Sequence, residues 1–350
     1  MVKFFNLLKI FVLYGLTAPS NVMGLGAFTE SWLKSAQLTR LDLSNSYLLA
    51  TICVFFALQG QKYFEKSINL KASFSYLGIS FIILSLNKYL SVLSLFFFFF
   101  FVQWIGQGLI VEECRVLLSN TTQGYSYSLA AGCLEAWGTF LVYVIPFCFL
   151  YILKGHTWQF SLINLGIIYI IISLILKQKS SVIPPPNKLF GKIWTHKSFL
   201  IANVIIYLPV LLTSGFFFHL EAFIERYQLS TQQLEICILP QILASIALQI
   251  ALGFFVKDKQ KRLIGMFSLL LFSQVLWLVN LLFVRGHLFC WIYVLTGAIG
   301  WGCFGLLVNI TWKFLFNKDY IWTEACLRNS VNFGFLANAA GPLLFILFLN

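Results

Sequence analysis

Eleven stretches, each about 20 residues or longer and nearly free of charge, follow one another along the chain with short polar breaks between them. About 20 apolar residues, rising 1.5 Å each as a helix, match the ~30 Å hydrocarbon layer of a bilayer. A lone segment of that length meets the hydrogen-bonding needs of its own backbone in lipid only as a helix. The spans lie at roughly 8–33, 45–62, 70–88, 90–118, 124–153, 158–177, 198–225, 231–256, 263–284, 287–316 and 320–349. Only 10% of the 350 residues are charged, while 59% are hydrophobic. A soluble domain carries about 25% charge, so there is too little polar surface here to cover a water-borne globule. The expected fold class is an all-α polytopic membrane protein with about 11 transmembrane helices. Spans 3 and 4 are parted only by Asn87-Lys88-Tyr89, the narrowest break in the series. The run Phe96 to Phe101 is expected to form a lipid-facing or packing surface.

Lys3 and Lys9 precede the first apolar stretch in the manner of a signal peptide. No small-residue cleavage site ends a short apolar core, so span 1 is expected to be a retained helix. The net charge of +12 is spread between apolar spans rather than gathered into a patch, which argues against nucleic acid as a partner. Its distribution instead sets an orientation. With the N-terminus inside, the inner segments hold 16 of the lysines and arginines and the outer segments 6. The excess of bases on one side predicts a cytoplasmic N-terminus. The eight cysteines fall in or beside apolar spans without a CxxC pair. They are expected to pack as small core residues, with no disulfide framework, metal site or cofactor.

The longest polar stretch runs from Lys177 to Lys197 and contains Pro184-Pro185-Pro186, a stiff extended spacer. It divides the chain into an N-terminal six-helix bundle (1–177), a cytoplasmic linker (178–197) and a C-terminal bundle of five helices (198–350). The halves repeat. Leu16-Thr17 with Ala27-Phe28 and Glu30 return as Leu212-Thr213 with Ala222-Phe223 and Glu225. Gly60 with Glu65-Lys66 returns as Gly253 with Asp258-Lys259, the acid standing five residues after the glycine in both. Gly106 and Gly108 return as Gly300 and Gly302, and Cys133-Leu134 as Cys326-Leu327. All four matches keep their order and fall at offsets of 193 to 196 residues.

Two parallel repeats joined by a basic inner linker resemble the major facilitator superfamily of secondary transporters. The two glycine–acid–lysine loops resemble that family's Gly-x4-Asp-Arg signature. Arg40, Leu43-Ser44, Tyr47 and Thr51 are similar to the start of helix 2 in its monocarboxylate-porter-like branch. Gly106-Gln107-Gly108 with Arg115, and Trp312, Phe316-Asn317, Leu327-Arg328-Asn329 and Ala340-Gly341-Pro342, resemble other parts of the same branch. Gln103 stands where that pattern has an arginine, span 8 carries no base, and a twelfth span is missing. The resemblance implies two helical bundles that move a small solute across the membrane by alternating access. It also implies a cavity lined by helices 1, 4, 7 and 10, and an inner-face hinge at Gly60, Glu65, Lys66, Gly253, Asp258 and Lys259. With no nucleotide-binding motif in the sequence, the driving force is expected to be a gradient, taken to be protons, and the solute a small organic anion. The expected partners are then the lipid bilayer, the solute and protons, and the expected state is a monomer. The missing helix leaves a second reading open: a transporter-derived sensor or assembly partner that moves nothing. An enzyme is not expected, because no nucleophile–base or metal-ligand constellation exists.

Charges inside a bilayer are costly and face the protein interior or a water-filled cavity. Glu112 and Arg115, three apart on span 4, share a helix face and could bind an anion, exchange a proton, or simply pair with each other. Glu135 is the deepest acid, roughly 16 Å into span 5 at 1.5 Å per residue. It suits proton coupling, or else a partnership with Arg115, Gln241 or Gln249. His219 and Glu221 stand toward the outer end of span 7, where the histidine could titrate near neutral pH or be a hydrogen-bonded interior group. Glu324 and Arg328 lie four apart on span 11, suited to solute binding or to gating and structural pairing.

Overall fold

The structure, a computed structural model, describes residues 2–21, 25, 28–63, 69–87, 89–122, 125–153, 155–176, 192–218, 231–256, 260–284, 286–316 and 319–349. Among these every regular element is helical. We number the helices by span: α1 Val2–Gly15, α2 Arg40–Tyr63, α3 Leu70–Leu86, α4 Val92–Thr121, α5 Tyr125–Leu153 and α6 Trp158–Ile175. They continue as α7 Lys197–Phe218, α8 Thr231–Val256, α9 Gln260–Phe283, α10 Gly286–Leu315 and α11 Tyr320–Leu349. Among the described residues seven helical stretches are long and apolar enough to cross a membrane.

Local chemistry sets the ends. Thr39 and Asp42 close a reciprocal cap on α2: the Thr39 N–H donates to Asp42 Oδ2 at 2.9 Å, and the Asp42 N–H to Thr39 Oγ1 at 3.1 Å. Asn69 accepts from the Ala72 N–H at the start of α3. The narrow break between spans 3 and 4 survives because both sides are capped. Asn87 ends α3 in an extended conformation, and Ser91 opens α4 with a capping box to Ser94. The phenylalanine run of α4 splits by face: Phe98 and Phe99 are buried, while Phe97 and Phe101 point outward.

Span 1 corrects the expectation of one helix over 8–33. α1 ends at Gly15, a 3-10 turn follows at Ala18–Ser20, and a separate short helix covers Thr29–Ala36. Pro19 sits in the first turn of the 3-10 segment and brings no N–H to continue the α-helical ladder. Local hydroxyls bond carbonyls at the break: Thr17 Oγ1 donates to Tyr14 O at 2.7 Å and Ser20 Oγ to Thr17 O at 2.5 Å.

The chain forms two compact units by contact: residues 8–115 with 141–190, and residues 1–7 with 116–140 and 191–350. In the first, α2 packs on α4, α3 on α4, and α3 on α6. The α3–α6 crossing is a backbone contact. A Cβ on Gly78 would lie 2.6 Å from Gly166 O, and one on Gly166 2.7 Å from Gly78 O. In the second unit α8 packs on α10, α9 on α10, and α7 on α11. The α2–α4 and α3–α4 pairs of one unit thus return as α8–α10 and α9–α10 in the other, as the repeat requires.

Candidate functional site

The second unit holds a buried polar cluster at Glu135. The first residues of α5 supply Tyr127 and Glu135, and α10 supplies Asn309 and Lys313. Asn309 Nδ2 donates to Glu135 Oε1 at 2.8 Å and to Gly305 O at 3.0 Å, while Tyr127 Oη donates to Asn309 O at 2.9 Å. The Lys313 ammonium stands 3.5 Å from the centre of the Tyr127 ring, a cation–π contact. Glu135 is 6% exposed and Asn309 fully buried, so the bond is dry. Glycines make room for it. A Cβ on Gly305 would meet Glu135 Cβ at 2.8 Å, and one on Gly132 would meet Gln249 O at 2.5 Å. Gln249 of α8 then bridges to Thr139 Oγ1 and Trp301 O, each at 3.1 Å.

The first unit has its own polar seam beside the break in span 1. The middle of α4, Gln103–Ile110, winds as a π-helix, a rare form that gathers at functional sites. From this segment Gln107 Nε2 donates to Thr17 O at 2.8 Å and reaches Ser20 Oγ at 3.2 Å. Thr51 Oγ1 donates to Gln103 Oε1 at 2.9 Å. Gly106 lies against Ser20, so that a Cβ there would collide with the serine side chain. Tyr169 of α6 donates to Leu16 O at 2.7 Å, which steadies the same break. A lateral crevice of ≈990 Å³ opens between α2, α3 and α4, lined by Gly60, Tyr76, Phe97, Phe101 and Trp104 among others. Among the described residues no Asp, Glu, Lys, Arg or His lines it.

The sequence-predicted residues distribute as follows. Glu135 is in the cluster above, where Asn309, which the sequence did not single out, is one of its partners. Glu112, Glu113 and Arg115 are all buried in the C-terminal third of α4. Arg328 Nε and Nη2 both donate to Glu324 Oε1, at 3.1 and 2.9 Å, a buried ion pair within α11. Gly253 is a packing contact of α8, where a Cβ would lie 3.0 Å from Ser128 O of α5, whereas Gly60 has nothing within 4 Å. His219, Glu221, Glu65, Lys66, Asp258 and Lys259 lie outside the described residues. Among the described residues no group of His, Cys, Asp or Glu could hold a metal ion. Asn309 escaped a search for membrane-embedded charge because it is neutral. The repeat could have found it, since it stands 194 residues after Arg115, the same offset that joins Gly106 to Gly300.

No protein-family model matches the chain, and no curated protein matches its sequence. Its structure is similar to that of the human organic anion transporter TETRAN, with a TM-score of 0.66 at 12% identity, over 98% of this chain and 94% of that one. It is also similar to the major facilitator transporter FucP in its outward conformation, with a TM-score of 0.67 at 8% identity, over 97% of this chain and 90% of that one. A third similar structure is the proton:xylose symporter XylE, with a TM-score of 0.64 at 12% identity, over 98% of this chain and 88% of that one. From end to end, the chain has the fold of the major facilitator superfamily.

Proposed function

We propose that this chain is a secondary transporter that carries a small solute by alternating access, with protons as the driving ion and a cytoplasmic N-terminus. The observation that carries the reading is the likeness of fold across nearly the whole length to transporters, one of them a proton symporter. The working units are the two sequence halves, 1–177 and 198–350, joined by the 178–197 linker. A small organic anion is the solute class, in keeping with the features it shares with the monocarboxylate-porter-like branch. One of the similar structures is itself an organic anion transporter and another a proton symporter.

Glu135 is the proton-carrying residue of this proposal, and Asn309 is what suits it to the task. As a carboxylate, Glu135 accepts from Asn309 Nδ2. Asn309 Oδ1 is buried and accepts no hydrogen bond from the described residues. If the amide turns over, that oxygen can accept from the protonated acid. A carboxamide facing a carboxyl can therefore serve both protonation states without leaving either one unsatisfied. Glu112, Arg115 and Arg328, with His219 and Glu221, are the candidates for solute contact. The loops at Gly60, Glu65, Lys66 and Gly253, Asp258, Lys259 are the inner hinge.

The test is solute uptake into proteoliposomes with and without an imposed pH gradient. Wild type should accumulate its solute only with the gradient. Glu135→Gln keeps the side-chain shape and a carbonyl for Asn309 but carries no proton. It should lose gradient-driven accumulation and keep solute exchange. Accumulation by Glu135→Gln equal to wild type removes the residue from coupling. A folded wild type that moves no organic anion, and that retains a stable protein partner on crosslinking, favours a sensor or assembly role instead.

A further inference from the structure

Away from the Glu135 cluster, the second unit encloses a small polar void of ≈10 Å³ where α7, α8, α9 and α10 meet. Thr213, Gln241, Gln274, Tyr293 and Thr296 supply polar groups around it, and Trp277 closes one wall. Among the described residues no Asp, Glu, Lys, Arg or His lines it. Gln241 is 1% exposed, and its Oε1 accepts no hydrogen bond from the described residues. A buried amide oxygen left in that state is costly. Glycine fixes both glutamines in place. A Cβ on Gly297 would run into the Gln241 amide, and one on Gly300 would lie 2.5 Å from Gln274 Nε2. The amides occupy the space two side chains would otherwise fill, and the void is what remains between them.

A void of roughly 10–15 Å³ holds one water if 2–4 polar groups surround it. This one meets both conditions, whereas an apolar hole of equal size would stay dry. We infer that it is a specific site for one internal water, which donates to Gln241 Oε1 and ties α8 to its neighbours α9 and α10. Its chemistry selects a neutral O–H donor: a cation would lack a counter-charge, and an anion would face the glutamine oxygen. It gives this bundle an internal hydrogen-bond bridge that sequence pattern alone does not show.

Hydroxyl-radical footprinting of the full chain in detergent tests the inference, because radicals born from a bound water label the side chains beside it even when bulk solvent cannot reach them. Trp277 and Tyr293 are 5% and 4% exposed, while Trp312 and Tyr169 are fully buried away from the void and serve as controls. Labelling of Trp277 and Tyr293 should exceed that of Trp312 and Tyr169. It should fall to the control level in Gly297→Ala, where the displaced amide fills the void, and in Gln241→Leu, which removes the acceptor without depending on Gly297→Ala to fold. Wild-type labelling at the control level overturns the site. So does labelling that persists in a folded Gln241→Leu.

Discussion

Arg328→Leu is the perturbation whose cost the structure defines most closely. Arg328 Nε and Nη2 reach the same Glu324 oxygen at 3.1 and 2.9 Å, and the two side chains are only 3% and 6% exposed. An exposed ion pair is worth about 0.2–1 kcal/mol, because water screens it and side-chain entropy opposes it. Neither reduction applies to a pair this far from water, whose geometry α11 fixes one turn apart. The buried-pair magnitudes govern instead. Removing one partner strands a charge and costs about 3–5 kcal/mol, while replacing both with apolar groups is neutral or stabilising by about 1–4 kcal/mol. Arg328→Leu should therefore destabilise the chain by about 3–5 kcal/mol, and Glu324→Leu/Arg328→Leu should return it to wild-type stability or above. Unfolding in mixed micelles, titrated with a denaturing detergent, gives both values. A single mutant within about 1 kcal/mol of wild type places the pair in the screened class and refutes the reasoning. A double mutant as unstable as the single shows that Glu324 is not the group that holds the guanidinium. The same proteins then decide function. If the pair only braces α11, the double mutant transports; if Arg328 contacts the solute, the double mutant folds and does not.

Three further substitutions test packing and the break in span 1. Gly132→Ala should cost about 1–3 kcal/mol, because its Cβ would stand 2.5 Å from a backbone carbonyl that cannot swing away, Gln249 O. Gly60→Ala, with nothing within 4 Å, should be neutral or gain up to about 1 kcal/mol from helix propensity. Melting both variants side by side checks the contrast, and equal losses would remove close approach as the cause. Gln107→Leu deletes the bond to Thr17 O, but that carbonyl still accepts from Ser20 N and Ser20 Oγ. Its loss should stay near the average of about 0.6 kcal/mol for one membrane hydrogen bond, and a loss beyond about 1.7 kcal/mol would mean that the glutamine alone holds the break.

Among the described residues, hydropathy placed helices α2 to α11 because each apolar stretch is bounded by polar residues. The described ends depart mainly where caps lie outside the apolar run, as Thr39 and Asp42 do for α2. Span 1 is the instructive exception. A hydropathy window sees one apolar run from 8 to 33, but Thr17-Ala-Pro19-Ser20 brings a proline and two hydroxyls that can satisfy a broken ladder. The break was thus written in the residues, in a signal of a different kind. The π-helical segment of α4 had no such mark. Gly106 and Gly108 are consistent with close packing in any helix, and the π-helical winding of the segment, with these glycines against Ser20 and Leu58, shows only in the structure. Buried charges such as Glu135 and Arg328 were legible as ionisable groups inside apolar spans. The neutral donors that complete the polar seams, Asn309, Gln107 and Gln249, could not be told from ordinary helix residues without the contacts they make.

The repeat sharpens which buried acid suits a proton. At offsets of 193 and 194, Glu135 falls on Arg328 and Arg115 on Asn309, so duplication kept the positions and changed the chemistry. Glu324 answers Arg328 within one helix. A proton placed on Glu324 cancels its charge and leaves a guanidinium that is 2% exposed without that counter-charge, at the cost of several kcal/mol that attends a broken buried pair. A proton placed on Glu135 breaks no bond with Asn309 that the amide cannot remake from its other end. The two acids are buried alike, at 5% and 6% exposure, so burial cannot separate them. Their partners do. Substituting Asn309 with Leu should therefore impair proton-driven uptake, where Glu324→Leu/Arg328→Leu spares it if that pair is structural. The reverse order in a proteoliposome assay would move the coupling role from α5 to α11.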